Sequence, residues 1–194
     1  MSDEFKITLA QLNATVGDLS GNNQKVMEAW EIARDERSDL IAFPEMFITG
    51  YNPQDLILKN AFQKAATSSI EQIAAACSQG PAIAIGGPFC DGDKLYNSYY
   101  ILAGGKIQAV IKKHHLPNEE VFDEVRLFSS GNVDGPFQIG KMRIGSPICE
   151  DAWHTDIVET LAETGAQTLL VPNGSPYYRG KTDIRQNVMV SRVV

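Results

Sequence analysis

MRIGSPICEDAWHTD, residues 142–156, runs from an apolar segment through a polar turn into a helical pattern. A strand feeding a helix through such a turn puts the joining side chains at the edge of a sheet. The joining residue here is Cys149, followed by Glu150 and Asp151. A cysteine in this place has four readings: an apolar filler, a metal ligand, half of a disulfide, or a nucleophile. The helix start that follows offers N–H groups able to stabilise a thiolate and a developing oxyanion.

Outward from this stretch the same alternation continues. FQIGKMRIGSPIC reads as two strands around Gly140-Lys141, the second ending at Cys149, and HTDIVETLAETG as a helix. AQTLLVPN is a further strand and RGKTDIRQNVMVSRVV a final helix. In the first half, FKITLAQL is a strand, and NNQKVMEAWEIARDER spaces Val26, Met27, Trp30 and Ala33 on one helical face. SDLIAFPE is a short strand closed by proline, AFQKAATSSIEQIAAACSQ an amphipathic helix, and AIAIGGP a buried strand. LYNSYYILAGGKIQAVIKK reads as a hairpin turning at Gly104-Gly105. Strands alternating with helices, with added hairpins, predict one layered α/β (α+β) domain over residues 1–194. The final helix meets Val193-Val194 without a stop signal, which predicts that this domain continues in a longer protein.

Composition narrows the function. A formal charge of −7 gives no surface for a nucleic acid, which needs clustered Lys and Arg. No stretch approaches the roughly 18 apolar residues of a membrane span. The acidic N-terminus MSDEF is unlike a secretory signal, so the expected location is the cytoplasm. Three widely spaced cysteines do not make a disulfide framework. Cys77 sits on an Ala-rich helical face and reads as core, and Cys90 falls in a turn. No CxxC or HExxH occurs. The adjacent His114 and His115, placed on a strand, would point to opposite faces, so no metal site is expected. Cys149 is left as core filler or nucleophile.

Two charged residues sit at comparable places. Glu45, in LIAFPEMFITGYNP, follows an apolar strand and lies among aromatics. It is either a loop cap or a desolvated carboxyl suited to proton transfer. Lys113 ends the run QAVIKK and is either solvated or turned into a site. His154 reads as a helix-start residue or a general base. The glycines of GGPFCDG and AGGKIQ fit turns and match no phosphate-binding loop.

In combination these signals acquire a family. The Glu of FPE, the Lys of KKHHLP and the Cys of ICEDAW resemble, in order and placement, the triad of the nitrilase (carbon–nitrogen hydrolase) superfamily. The resemblance covers essentially the whole chain. ITLAQLNATVGDLSGN, FPEMFITGYNPQDL, LPNEEVFDEVRLF, ICEDAW and NGSPYYRGK make it closer still to the glutaminase domains of glutamine-dependent NAD synthetases. It implies an α-β-β-α sandwich that is C-terminally incomplete here. Glu45 is implied as general base, Cys149 as nucleophile and Lys113 as the cation at the tetrahedral intermediate, with Glu124 as a second carboxylate. The backbone N–H of Glu150 would share the oxyanion. Tyr51, Ser175 and Lys181 fall where glutamine is held, and Glu119 stands where many relatives carry tyrosine. The implied reaction is glutamine amide hydrolysis, with no cofactor in this chain. ATP and magnesium would belong to an absent C-terminal synthetase domain, the expected partner, in a homo-oligomeric full-length enzyme.

Overall fold

The computed structural model describes residues 4–119, 121–176 and 178–192. The terminal Val193-Val194 pair, Glu120 of LPNEEVF and Tyr177 of NGSPYYRGK lie outside the described residues. Strands β1 (Ile7–Leu9), β2 (Leu40–Ala42), β3 (Ala82–Asp91), β4 (Lys94–Ala103) and β5 (Lys106–Lys112) form one sheet in that order. The first three are parallel, and β3, β4 and β5 are joined as antiparallel hairpins. A second sheet holds β6 (Phe137–Ile139), β7 (Met142–Gly145) and β8 (Thr168–Leu169).

Period-two alternation assembles the layers. Ile41 and Phe43 point to one side of the large sheet. There they join Trp30 and Ala33 of helix α1 (Leu19–Asp35) and Ile70 and Ile73 of helix α2 (Asn60–Ala76). Leu40 and Ala42 point to the other side and pack with Tyr99 and Ile101 against Phe137 and Ile144 of the small sheet. Helix α4 (Thr155–Glu163) covers the far face of β7, where a Cβ on Gly145 would lie 3.1 Å from Leu161. The order is α-β-β-α, as expected. A 3₁₀ turn (Gln54–Leu58), a short helix α3 (Glu124–Leu127) and helix α5 (Lys181–Val190) are also present. Among the described residues no helix is long and apolar enough to cross a membrane.

Helix α1 starts where Asp18 accepts a hydrogen bond from the Gly21 N–H at 2.8 Å. It is fixed to the sheet by the Trp30 indole N–H donating to the Pro81 carbonyl at 2.9 Å. Three local expectations change. Gly86, Gly87 and Cys90 lie within β3, and only Gly92 makes the turn. The reason at Gly86 is close approach: a Cβ there would sit 2.1 Å from the Met46 nitrogen and 2.7 Å from the Pro44 carbonyl. β3 thus carries the backbone that presents Glu45. The third change is at Cys149, which does not end a strand. β7 stops at Gly145, and Cys149 opens a 3₁₀ turn, Cys149–Trp153, that precedes α4.

Candidate active site

Glu45, Lys113 and Glu124 arrive from three separate segments and meet in the interior. Glu45 leaves β2 through Phe43-Pro44, and the next residue, Met46, has φ +50°. Lys113 follows β5, its N–H still bonded to the Asn97 carbonyl of β4 at 2.9 Å. Glu124 opens α3. All three side chains are buried. The Lys113 ammonium lies 2.7 Å from Glu45 Oε1 and 2.8 Å from Glu124 Oε2. Asn97 Nδ2 donates to Glu45 Oε1 at 2.8 Å and to Glu124 Oε1 at 3.0 Å. The Gly174 N–H donates to Glu45 Oε2 at 2.8 Å, and the Tyr51 hydroxyl to Glu124 Oε1 at 3.0 Å.

Charge balance follows from this packing. Burial by itself would lower the pKa of Lys113, but the Glu45 and Glu124 carboxylates outweigh it and hold the ammonium charged. Burial raises Glu124, Lys113 opposes that, and Glu45 adds to it; the net direction is upward. A buried cation between two carboxylates is costly to build and serves stability poorly compared with an apolar core. Its presence marks a place where charge is needed.

Cys149 is buried beside this cluster, with Sγ 3.5 Å from Ser175 Oγ. Burial pushes its thiol up to about 12, Glu45 adds to the shift, and Lys113, Ser175 and the Gly174 N–H pull it back. At neutral pH the resting group is therefore a thiol, which needs a base at the moment it attacks. Its backbone has φ +49°, a left-handed conformation that costs a β-carbon-bearing residue on the order of 1–3 kcal/mol. The Cys149 N–H is anchored to the Pro172 carbonyl at 3.0 Å. The next N–H, on Glu150, makes no backbone hydrogen bond among the described residues and is free for a ligand.

Two residues of this arrangement were not singled out from sequence. Asn97, which serves both glutamates, had a signal: an amide in the middle of the apolar strand LYNSYYILA, fully buried. Asp151 had none beyond its place beside Glu150. Its buried carboxylate accepts from the N–H groups of His114 (3.1 Å) and His115 (2.7 Å) through Oδ1 and of Ile148 (3.1 Å) through Oδ2. It thus ties the segment after Lys113 to the turn that carries Cys149.

Cys149 opens onto a cavity of about 550 Å³ that also meets Glu119, Glu150, Ser175 and Lys181. Lys181 opens α5 and is buried, its ammonium 4.8 Å from the centre of the Tyr178 ring. Among the described residues it pairs with no carboxylate. Glu119 stands exposed at the cavity rim. Tyr51 does not line this cavity; its hydroxyl is engaged by Glu124. His154 immediately precedes α4, and no histidine bonds to Cys149 among the described residues. Cys77 is core. A larger cavity of about 660 Å³ lies beside β1, but its only charged lining residue is Arg185, so it lacks the groups for amide chemistry.

Comparison with known proteins places this geometry. The carbon–nitrogen hydrolase family matches residues 6–192. The chain is 51% identical over 193 residues to the glutamine-dependent NAD(+) synthetase of Rhodobacter capsulatus, covering 100% of this chain and 35% of that protein. The enzyme of the same name from Aquifex aeolicus is 37% identical, over 97% of this chain and 33% of its own. The chain thus spans about a third of the length of these curated relatives. Among solved structures, the glutamine-dependent NAD+ synthetase of Acinetobacter baumannii superposes with a TM-score of 0.88 at 32% identity, over 96% of this chain and 35% of that one. An amidase from Nesterenkonia sp. shares the fold, with a TM-score of 0.83 at 23% identity over 98% and 72% of the two chains. With the family match spanning nearly every residue from β1 to α5, the chain belongs to the carbon–nitrogen hydrolase family.

Proposed function

We propose that the chain hydrolyses the side-chain amide of glutamine through Cys149, Glu45 and Lys113. The observation that carries this reading is the buried Lys113 ammonium held between Glu45 and Glu124 beside a buried thiol. Glu45 takes the thiol proton as Sγ attacks the amide carbon. The oxygen gains negative charge and is held by the Glu150 N–H and the Lys113 ammonium. Collapse breaks the C–N bond, and the proton returned from Glu45 leaves with ammonia. A glutamyl thioester remains on Cys149. Glu45 then takes a proton from water, which attacks the thioester and releases glutamate and the thiol. Glu124 keeps Lys113 in position and charged throughout.

The substrate assignment rests on the cavity. Lys181, buried and without a carboxylate partner among the described residues, is suited to a carboxylate, and glutamine carries one at its α-carbon. Glu119 at the rim is placed to take the α-ammonium, in a pocket where Ser175 flanks the thiol. In the longer protein, ammonia would serve the ATP-dependent amidation of deamido-NAD to NAD. That step, with ATP and magnesium, would belong to a C-terminal synthetase domain within a homo-oligomer; the relatives' shared name, glutamine-dependent NAD(+) synthetase, supports the link to NAD synthesis.

The rival substrate class is a simple amide without α-substituents, and ammonia release separates the two. Glutamine is expected to exceed propionamide in kcat/KM. Lys181→Met should lower the glutamine value about 10–100-fold, the worth of one hydrogen bond to a charged group, while leaving the simple amide unchanged. Equal loss on both substrates would count against the α-carboxylate assignment.

A further inference from the structure

All three histidines of the chain gather at one place outside the proposed triad. β5 ends at Lys112, so His114 and His115 are free of the strand alternation that would send them to opposite faces. Their rings meet edge to face with centroids 4.7 Å apart. His154 stacks on His115 at 3.8 Å and 18°. Asp156, in the first turn of α4, places both carboxylate oxygens 3.1 Å from His115 Nε2.

We propose that His114, His115 and Asp156 form a binding site for a divalent transition-metal ion of the zinc class. One ring nitrogen of each histidine and one Asp156 oxygen lie within 4.8 Å of one another. Tetrahedral zinc with nitrogen and oxygen ligands spaces those atoms roughly 3.3 Å apart. The His115–Asp156 pair is already at that spacing. The exposed Asp156 and the half-buried His115 side chains close the remaining distance, so the Gly131 carbonyl keeps its hold on the His114 ring.

The surroundings fit ligands rather than a chance cluster. His114 Nδ1 lies 2.7 Å from the Gly131 carbonyl, so Nδ1 carries the proton and Nε2 keeps its lone pair. A backbone carbonyl on the second ring nitrogen is the usual support of a metal-bound histidine. Asp151 fixes the backbone of both histidines through their N–H groups. Among the described residues no lysine or arginine neutralises Asp156. Two imidazoles and one carboxylate suit zinc, with the fourth position open to water. An ion here would tie the segment after Lys113 to the start of α4, which follows the Cys149 turn.

Calorimetric titration of Zn²⁺ into the full protein tests this. A Cys90→Ser, Cys149→Ala background removes the exposed thiol and the thiol at the cavity as competing ligands. One equivalent with micromolar or tighter affinity is expected. His115→Ala and Asp156→Asn should each abolish that equivalent or weaken it at least about 10–100-fold. His154→Ala, which removes the stacked ring and its 3.4 Å contact with Glu150 but no ligand atom, should change it less than about threefold. Far-UV circular dichroism confirms folding of each variant, and Asp156, being exposed, is the safer of the two ligand changes. An anomalous peak at the zinc edge between the three side chains would support the site directly. No binding tighter than millimolar, or affinity unchanged in both ligand variants, would overturn it.

Discussion

Cys149→Ala is expected to lower glutamine hydrolysis by about 10⁴-fold or more, because no other group can form the thioester and what remains is the catalysis of an oriented but unattacked amide. The substitution removes one buried sulfur in contact range of Ser175 and leaves the Glu45–Lys113–Glu124 cluster in place. Thermal or urea unfolding should therefore stay close to that of the parent, separating lost chemistry from lost fold. In a protein of the relatives' full length, the same variant should fail to make NAD from glutamine yet still make it from free ammonia. Retained glutamine use would move the nucleophile elsewhere.

Lys113→Met is expected to damage both rate and fold. Removing one oxyanion donor in a dry site costs about 10²–10³-fold in kcat, with the effect on kcat larger than on KM. The structural loss arises because two carboxylates, Glu45 and Glu124, are then buried without their cation. Breaking such a pair typically costs about 3–5 kcal/mol, which urea unfolding would read as a lower midpoint. The sign of the pH effect follows. Burial already raises the Glu124 carboxyl, and the variant removes the cation that opposes that shift, so protonation of Glu124 favours the folded state. The deficit should shrink as pH falls from about 8 toward about 5. A deficit that grows on acidification would contradict the placement of Lys113 between these carboxylates.

The layered fold was legible because each face of the sheets carries its own pattern. Val26, Trp30 and Ala33 at helical spacing and the AGGK turn both act over a few residues, and both stand in the structure where the sequence puts them. Strand ends were less legible. FKITLAQL contributes only Ile7–Leu9 to pairing, and Gly86 and Gly87 of GGPFCDG are inside a strand. There the deciding contact is with the Glu45 loop some forty residues earlier, which no local pattern records. Glu45 and Lys113 were suggestive at the ends of apolar runs and gained force only in combination with Cys149. Asn97 and Asp151 escaped because their partners come from distant segments: Glu45 and Glu124 for one, the backbone of His114 and His115 for the other. The expectation that His114 and His115 point to opposite faces fails because β5 ends at Lys112, three residues before His115.

A covalent glutamyl intermediate on Cys149 is tested most directly by mass spectrometry of an acid-quenched reaction. Protein mixed with glutamine and quenched within one turnover should carry an adduct of glutamine less ammonia. Fragmentation should place that adduct on the peptide containing Ile148-Cys149-Glu150, and Cys149→Ala should show none. An adduct on another residue, or glutamine hydrolysis at full rate with no adduct at any quench time, would contradict the account.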